Sequence, residues 1–427
     1  MLGGGTFVSQ TQKTLPGSYI NFVSAARASA ILSDRGFAAM PLELDWGVDG
    51  DVFTVTNEDF QTKCKAIFGY EYSHDKMMGL RDLFKKVKTL YVYKLTSGGA
   101  KAVNEFAEAK YTGVRGNALK IVVALNAEDQ SKYDVKTYLD TGLVDSQTVV
   151  SADKLVDNDY VVFKKDVMLE ETAGTPLTGG TNGVVSSSAW QSALDALESY
   201  SFNVIGVMSD DEATKGLVVA WTKRLRDEMG VKFQAVVYKY DADDKAIINV
   251  DNQLELVYWV TGAEASCNVN ASLTNTVYDG EYKVNTKYTQ AQLVQAIKEG
   301  KFVFHKVGDD VRVLTDINSK VTVTVEEGEI FKKNQTIRVI DQIAMDIASI
   351  FNTRYLGIIP NDSAGRISLW NDIVKHHQEL LQLRAIEDYV PEDTVVAQGE
   401  TKDSVVVSDA VIVTNAMEKL YMVVVVN

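Results

Sequence analysis

The stretch Asn203–Tyr240 reads NVIGVMSDDEATKGLVVAWTKRLRDEMGVKFQAVVYKY, and the fold class follows from it. Asn203–Met208 (NVIGVM) is a short apolar run without polar alternation, the pattern of a buried strand. Asp211–Met229 reads as a helix, closed by Gly230 where a C-terminal glycine is expected. Phe233–Tyr240 is the next strand. A strand, a helix and a second strand in that order put helices on the faces of a mainly parallel sheet.

Outward from this unit the alternation continues. Ser186–Ser188 offer N-caps for a helix whose apolar stripe is Trp190, Ala193, Leu194 and Leu197. Leu254–Ala265 reads as a helix apolar nearly all round, and Thr289 with Gln292 forms a capping box for a helix that stops at Gly300. Phe302–Val307 and Val311–Ile317 flank Gly308-Asp309-Asp310 as a hairpin. Upstream, Thr172–Gly183 (TAGTPLTGGTNG) reads as a linker, with a domain boundary near residue 180. Before it, Ala118–Leu125, Lys132–Leu139 and Tyr160–Val167 alternate with period two and predict a β-rich module. Earlier still, Asn57–Phe68 and Asp75–Val87 carry helical spacing and Thr89–Leu95 alternates as a strand. The chain is therefore expected to be an α/β multidomain protein.

Towards the C-terminus, Ile337, Ile340, Ala344, Ile347 and Phe351 mark a helix with one buried face. Arg366–Tyr389 is a longer, wetter helix ending before Pro391, and strands follow at Thr394–Ala397, Ser404–Val413 and Leu420–Val426. At the other end, Gly3–Lys13 is glycine-rich and polar, and Pro16-Gly17 leads into the alternating Tyr19-Ile20-Asn21-Phe22-Val23. Both ends thus carry strand-forming segments without a local partner, and their backbone groups must be satisfied somewhere. Pairing within the molecule is one solution; adding a strand to a neighbour's sheet is the other.

With 427 residues, 46% of them apolar and 24% charged, the chain can bury several cores. Its net charge is −15 with dispersed Lys and Arg, which argues against nucleic acid as a partner. No apolar run approaches the roughly 20 residues of a membrane span, and no signal-peptide pattern is present, so assembly in the cytoplasm is expected. Cys64 and Cys267 indicate neither a disulfide framework nor a zinc site.

The search for chemistry is negative. His376 and His377 are neighbours on a helix and read as a solvated face, and His74 and His305 sit in no motif. Gly179-Gly180-Thr181-Asn182-Gly183 has no lysine to reach a phosphate, and no nucleophile elbow or dinucleotide loop occurs. Asp241, Asp243 and Asp244 begin like a calcium loop, but Ala246 and Asn252 stand where its glycine and bidentate glutamate belong. No catalytic residue, metal or cofactor is expected.

Several segments, in order, resemble contractile tail sheath proteins of myophages, R-type bacteriocins and defective prophage tails of Gram-positive bacteria. They are Pro16-Gly17-Ser18-Tyr19-Ile20-Asn21, Pro41–Gly47 (PLELDWG), Ala109–Asn117 (AKYTGVRGN), Trp259–Ala265 with Ser272–Asn275 and Tyr278-Asp279-Gly280, then Arg338–Phe351, Tyr355-Leu356-Gly357 and Asn361. The resemblance implies an N-terminal arm over 1–24, a core from 25–97 and 319–415, an inserted β-rich domain over 98–180, and a C-terminal arm over 416–427. It further implies that 181–318 is related in fold to subtilisin, though without a Ser, His and Asp set in subtilisin-like motifs.

By the same resemblance, Tyr19, Ile20, Asn21, Phe22 and Val23 pair with one neighbour, and Leu420, Tyr421, Met422, Val423, Val424, Val425 and Val426 with another. The helix over Arg366–Tyr389 faces an inner tube, with Lys375, His376, His377, Gln378 and Arg384 as contacts, while Val8–Pro16 and the chain near Asn415 act as hinges. The implied partners are further copies of the chain, the tube protein, and baseplate and tail terminator or collar proteins. The implied setting is a phage or phage-tail-like particle, assembled in the host cytoplasm and released on lysis, whose sheath inserts into no membrane. A hydrolase on the α/β domain and a non-contractile surface or capsid-like array are the competing readings.

Overall fold

A computed structural model describes residues 3–5, 17–19 and 32–426. Its centre is a seven-stranded sheet in the order 301–302, 247–250, 234–238, 204–206, 37–42, 89–94, 52–56. Neighbours are parallel except 52–56, which runs antiparallel to 89–94 at one edge. Helices cover both faces, and successive strand residues therefore serve two cores. Ala38, Met40, Val236 and Ile248 pack with Leu83, Trp259 and Val260, while Ala39, Ile205, Val237 and Ile247 pack with Trp190, Leu197 and Trp221.

The helices start where the sequence places their caps. Ser186 accepts from Ala189 N and Asp211 from Thr214 N, and the box of Thr289 and Gln292 closes in both directions. Helices result at Ser187–Leu197, Glu212–Asp227 and Gln290–Lys298, with a further one at Leu256–Ser266 that is buried on nearly every side.

Within the segment 25–97, expected as the first part of a core, the described residues supply three strands of the central sheet. Phe37–Leu42 (FAAMPL) is apolar on both faces and lies between 204–206 and 89–94, where both faces are covered. Thr172–Gly183, expected as a linker, is fixed structure. Thr172–Pro176 joins a four-stranded antiparallel sheet with 119–125, 133–139 and 142–149, and Gly180 exchanges hydrogen bonds with the Asn117 side chain.

The segment Ala109–Asn117 gains a physical meaning from this junction. Gly113 has φ +128°, and a Cβ there would lie 2.0 Å from the Asp45 carbonyl oxygen, so only glycine lets the two backbones meet. Beside it, Asn182 accepts from Val114 N and donates to Asp45.

The chain divides into two compact units, one of residues 35–341 with 413–427 and the other of 1–34 with 342–412. In the second, a π turn at Phe351–Tyr355 precedes the helix Ser363–Gln382, and Thr394–Gln398 pairs antiparallel with Val405–Asp409. Its core gathers Ile350, Tyr355, Leu369 and Ile373 against Val396 and Val405. The backbone of Gly17–Tyr19 pairs parallel with Gly3–Gly5, in the glycine-rich stretch at the start of the chain.

Gly113→Ala should cost at least about 2 kcal/mol in urea unfolding, because backbone must move. Gly98→Ala, also at positive φ but with nothing within 4 Å, should cost about 1 kcal/mol.

Candidate functional site

Three places answer to the sequence expectations: the C-terminal segment, the helix Ser363–Gln382, and the motif residues inside the larger unit. Residues 420–426 form no strand and make no backbone hydrogen bond to any described residue, although their composition favours β structure. Their exposures lie between 67% and 91%. Of the N-terminal set, Tyr19 closes a short strand, while Ile20, Asn21, Phe22 and Val23 lie outside the described residues. The hairpin Thr394–Gln398/Val405–Asp409 is a two-stranded sheet, so each strand has an outer edge unpaired among the described residues. Val395, Val406 and Val407 are exposed on it.

The helix Ser363–Gln382 corrects the expectation for two tube contacts. His376 and His377 are 0% exposed, and buried side chains cannot read a partner's surface. His376 Nε2 lies 3.0 Å from Asp346 Oδ2, and Asp346 also accepts from Ser33 N and Gln342 Nε2. His377 Nδ1 meets the Ile373 carbonyl at 2.9 Å, and its Nε2 lies 2.7 Å from Asp409 Oδ2. Burial opposes the charge of Asp409, but hydrogen bonds from His377 and Thr394 outweigh it and hold the carboxyl below its ordinary range. The signal was present in the spacing: Leu369, Ile373, His376 and Leu380 recur at intervals of four, three and four, which places histidine on the apolar stripe. Lys375, Gln378 and Arg384 are exposed.

The chain near Asn415, expected as a hinge, makes two hydrogen bonds to the entrance of the helix Asn334–Ile350. Asn415 Oδ1 accepts from Thr336 Oγ1 at 3.3 Å, and the Ala416 amide donates to Gln335 Oε1 at 3.0 Å.

The strongest polar centre has no counterpart in the sequence reading. Arg338, 1% exposed, donates Nη1 to Glu264 and Nη2 to Asp316 at 2.7 Å, while Asn334 Nδ2 bridges the same two carboxyls. Burial pushes the Glu264 carboxyl well up, with the charge of Asp316 adding to it. Burial opposes ionisation of Asp316 too, but there the guanidinium wins and holds the group at about 2. Asp341, one turn further along, receives a bidentate pair from Arg226 at 2.7 Å. The segment Arg338–Asp341 is thus a set of buried ion pairs on one helix.

The other motif residues likewise hold the fold. Trp259 Nε1 donates to Asp279 at 2.7 Å, Tyr278 donates to Asp82 at 2.6 Å, and Asn361 Nδ2 binds the carbonyls of Lys402 and Ser404 beside the exposed hairpin. Asp243 spends its carboxylate on the amides of Val321 and Thr322. Burial pushes the thiols of Cys64 and Cys267 up to about 12, which leaves them unreactive. Among the described residues no group of three or more His, Cys, Asp or Glu could hold a metal ion.

Comparison with known proteins agrees along the whole chain. Four family models match in succession: tail sheath protein Gp18 domain III N-terminal region over 35–95, phage tail sheath protein beta-sandwich domain over 97–182, phage tail sheath protein central domain over 183–319, and phage tail sheath C-terminal domain over 326–427. The phage-like element PBSX protein XkdK of Bacillus subtilis (strain 168) is 31% identical over 100% of both chains. The crystal structure of a sheath tail protein from Desulfitobacterium hafniense superposes with a TM-score of 0.82 at 34% identity, covering 95% of this chain and 99% of that one. The helical sheath of the anti-feeding prophage in its contracted state shares the fold, with a TM-score of 0.56 at 11% identity over 96% of this chain and 99% of that one.

Arg338→Ala should cost about 3–5 kcal/mol in chemical unfolding, because it strands two buried carboxyls. Lys63→Ala, which breaks an exposed pair with Asp59 on a helix surface, should leave the unfolding midpoint unchanged.

Proposed function

The chain belongs to the phage tail sheath family, and from that premise we propose that it polymerises as a helical lattice around an inner tail tube and contracts to drive the tube through a target envelope. The observation that carries the proposal is the exposed segment Leu420–Val426. It is strand-forming, apolar and without a ladder partner among the described residues. The open edges of the hairpin Thr394–Gln398/Val405–Asp409 offer the complementary groups on another copy. About five backbone hydrogen bonds at a net ~1 kcal/mol each, plus apolar burial, would make each linkage worth several kcal/mol.

In this reading the extended lattice is held kinetically rather than at its lowest free energy. On release of the first ring, subunits rotate as rigid bodies into fuller contact. Backbone-paired arms persist through that motion because the hydrogen bonds of a shared sheet travel with both partners. The tube, a baseplate, and terminator or collar proteins are the further partners. Relatives of the fold are described in a baseplate and in a contracted helical sheath, which supports this assignment. Of the tube contacts, Lys375, Gln378 and Arg384 remain as exposed groups.

Deleting residues 420–427 should leave a folded protein, with stability changed by less than about 0.5 kcal/mol, that forms no tubes in electron micrographs. Tubes like those of the full chain would refute arm exchange. Charge reversal at Lys375 and Arg384 together should weaken assembly on the inner tube yet leave self-assembly of contracted sheath intact; equal tube binding removes both from the contact.

A further inference from the structure

The free segment starts just past a carboxylate held from three directions. Glu418 takes the ammonium of Lys333, the hydroxyl of Thr274 at 2.8 Å and the hydroxyl of Thr315 at 3.3 Å. Lys333 Nζ also donates to Thr315 Oγ1, at 3.3 Å, so the four groups form one cluster. The Glu418 side chain is only 21% exposed, whereas Met417 beside it is fully exposed and Leu420 is 87% exposed. Glu418 is thus the last residue whose side chain turns back onto its own subunit before the chain leaves the surface.

An isolated surface ion pair would hold little. Here the charge-assisted bonds are reinforced by two threonine hydroxyls, and the preceding contacts at Asn415 and Ala416 fix the same stretch to the start of the helix Asn334–Ile350. The partners come from separate parts of the chain: Thr274 in a turn, Thr315 two residues past the strand Asp310–Val313, and Lys333 at the helix entrance.

We infer that Glu418 is the anchor of the C-terminal arm, a positioning residue that sets the arm's pivot at Lys419–Leu420 and fixes how far the arm reaches. The inference rests on the arm-exchange reading above. Releasing Thr414–Glu418 would add roughly 16 Å of reach at roughly 3.3 Å per residue, and a neighbour could then be captured in several registers. Pinned at Glu418, the arm presents only its apolar run, from a fixed point on a rigid body.

In the unassembled full chain, Glu418→Ala is expected to raise exchange of the Ala416 amide, which donates to Gln335, about tenfold, with the global unfolding temperature unchanged and fewer ordered tubes. Lys333→Glu should behave alike. The charge-swapped pair, Glu418→Lys with Lys333→Glu, should recover protection and tube order, a rescue that a mere loss of packing would not give. Exchange of the Ala416 amide unchanged by Glu418→Ala overturns the anchor, and so does a swapped pair no better protected than either single variant. Exchange before assembly reads the anchor alone, and polymerisation of the chain ending at Lys419 reads the arm alone, so the two readings fail separately.

Discussion

The guanidinium of Arg338, shut away from water between Glu264 and Asp316, is the interaction on which the larger unit turns. A cation and two carboxyls removed from solvent are costly unless nearly every donor and acceptor is matched. The matching here draws on three distant pieces of chain: the helix that covers the sheet, the residue after the hairpin, and the long helix carrying Arg338. Burial pushes the Glu264 carboxyl up while the Arg338 guanidinium holds that of Asp316 down, so the same site sets its two carboxyls apart. Four residues before Arg338, Asn334 ties both carboxyls to the first turn of the helix. That turn is also where Gln335 and Thr336 receive the root of the C-terminal segment.

The molecule thus joins two opposite backbone conditions. In the seven-stranded sheet, strands are paired and both faces are covered by helices, which makes a body suited to moving as one piece. In residues 420–426, and along the outer edges of the 394–409 hairpin, backbone groups have no ladder partner among the described residues. Backbone groups without a ladder partner are satisfied by water at little cost when exposed. Their exchange for protein partners yields a modest gain per bond, repeated at every subunit of the proposed lattice.

Much of this was legible in residues. Caps at Ser186, Asp211 and Thr289 appear where their spacing requires them, because a cap acts over three or four residues and needs no distant partner. The stripe on Ser363–Gln382 was also visible, yet His376 and His377 read as wet because histidine is polar in isolation. Asp346 and Asp409 make their burial tolerable, and neither is near them in sequence. Glu264 was hidden for the same reason, on a helix that reads as apolar nearly all round. The glycines and threonines of 172–183 read as a linker because composition cannot reveal that Asn117 is waiting to pair with Gly180.

The sequence by itself determined the kind of most elements, the parallel α/β character, the β-rich module, and the strand-forming composition of the C-terminal segment. These follow from periodicity and capping, which are settled within a turn or a strand. Only the tertiary structure decided that residues 37–42 lie between 89–94 and 204–206, that Arg338 meets Glu264 and Asp316, and that the C-terminal segment is pinned at Glu418 before it runs free. Each of those outcomes depends on groups brought together across long stretches of chain, where packing and charge pairing choose among partners that local pattern leaves equivalent.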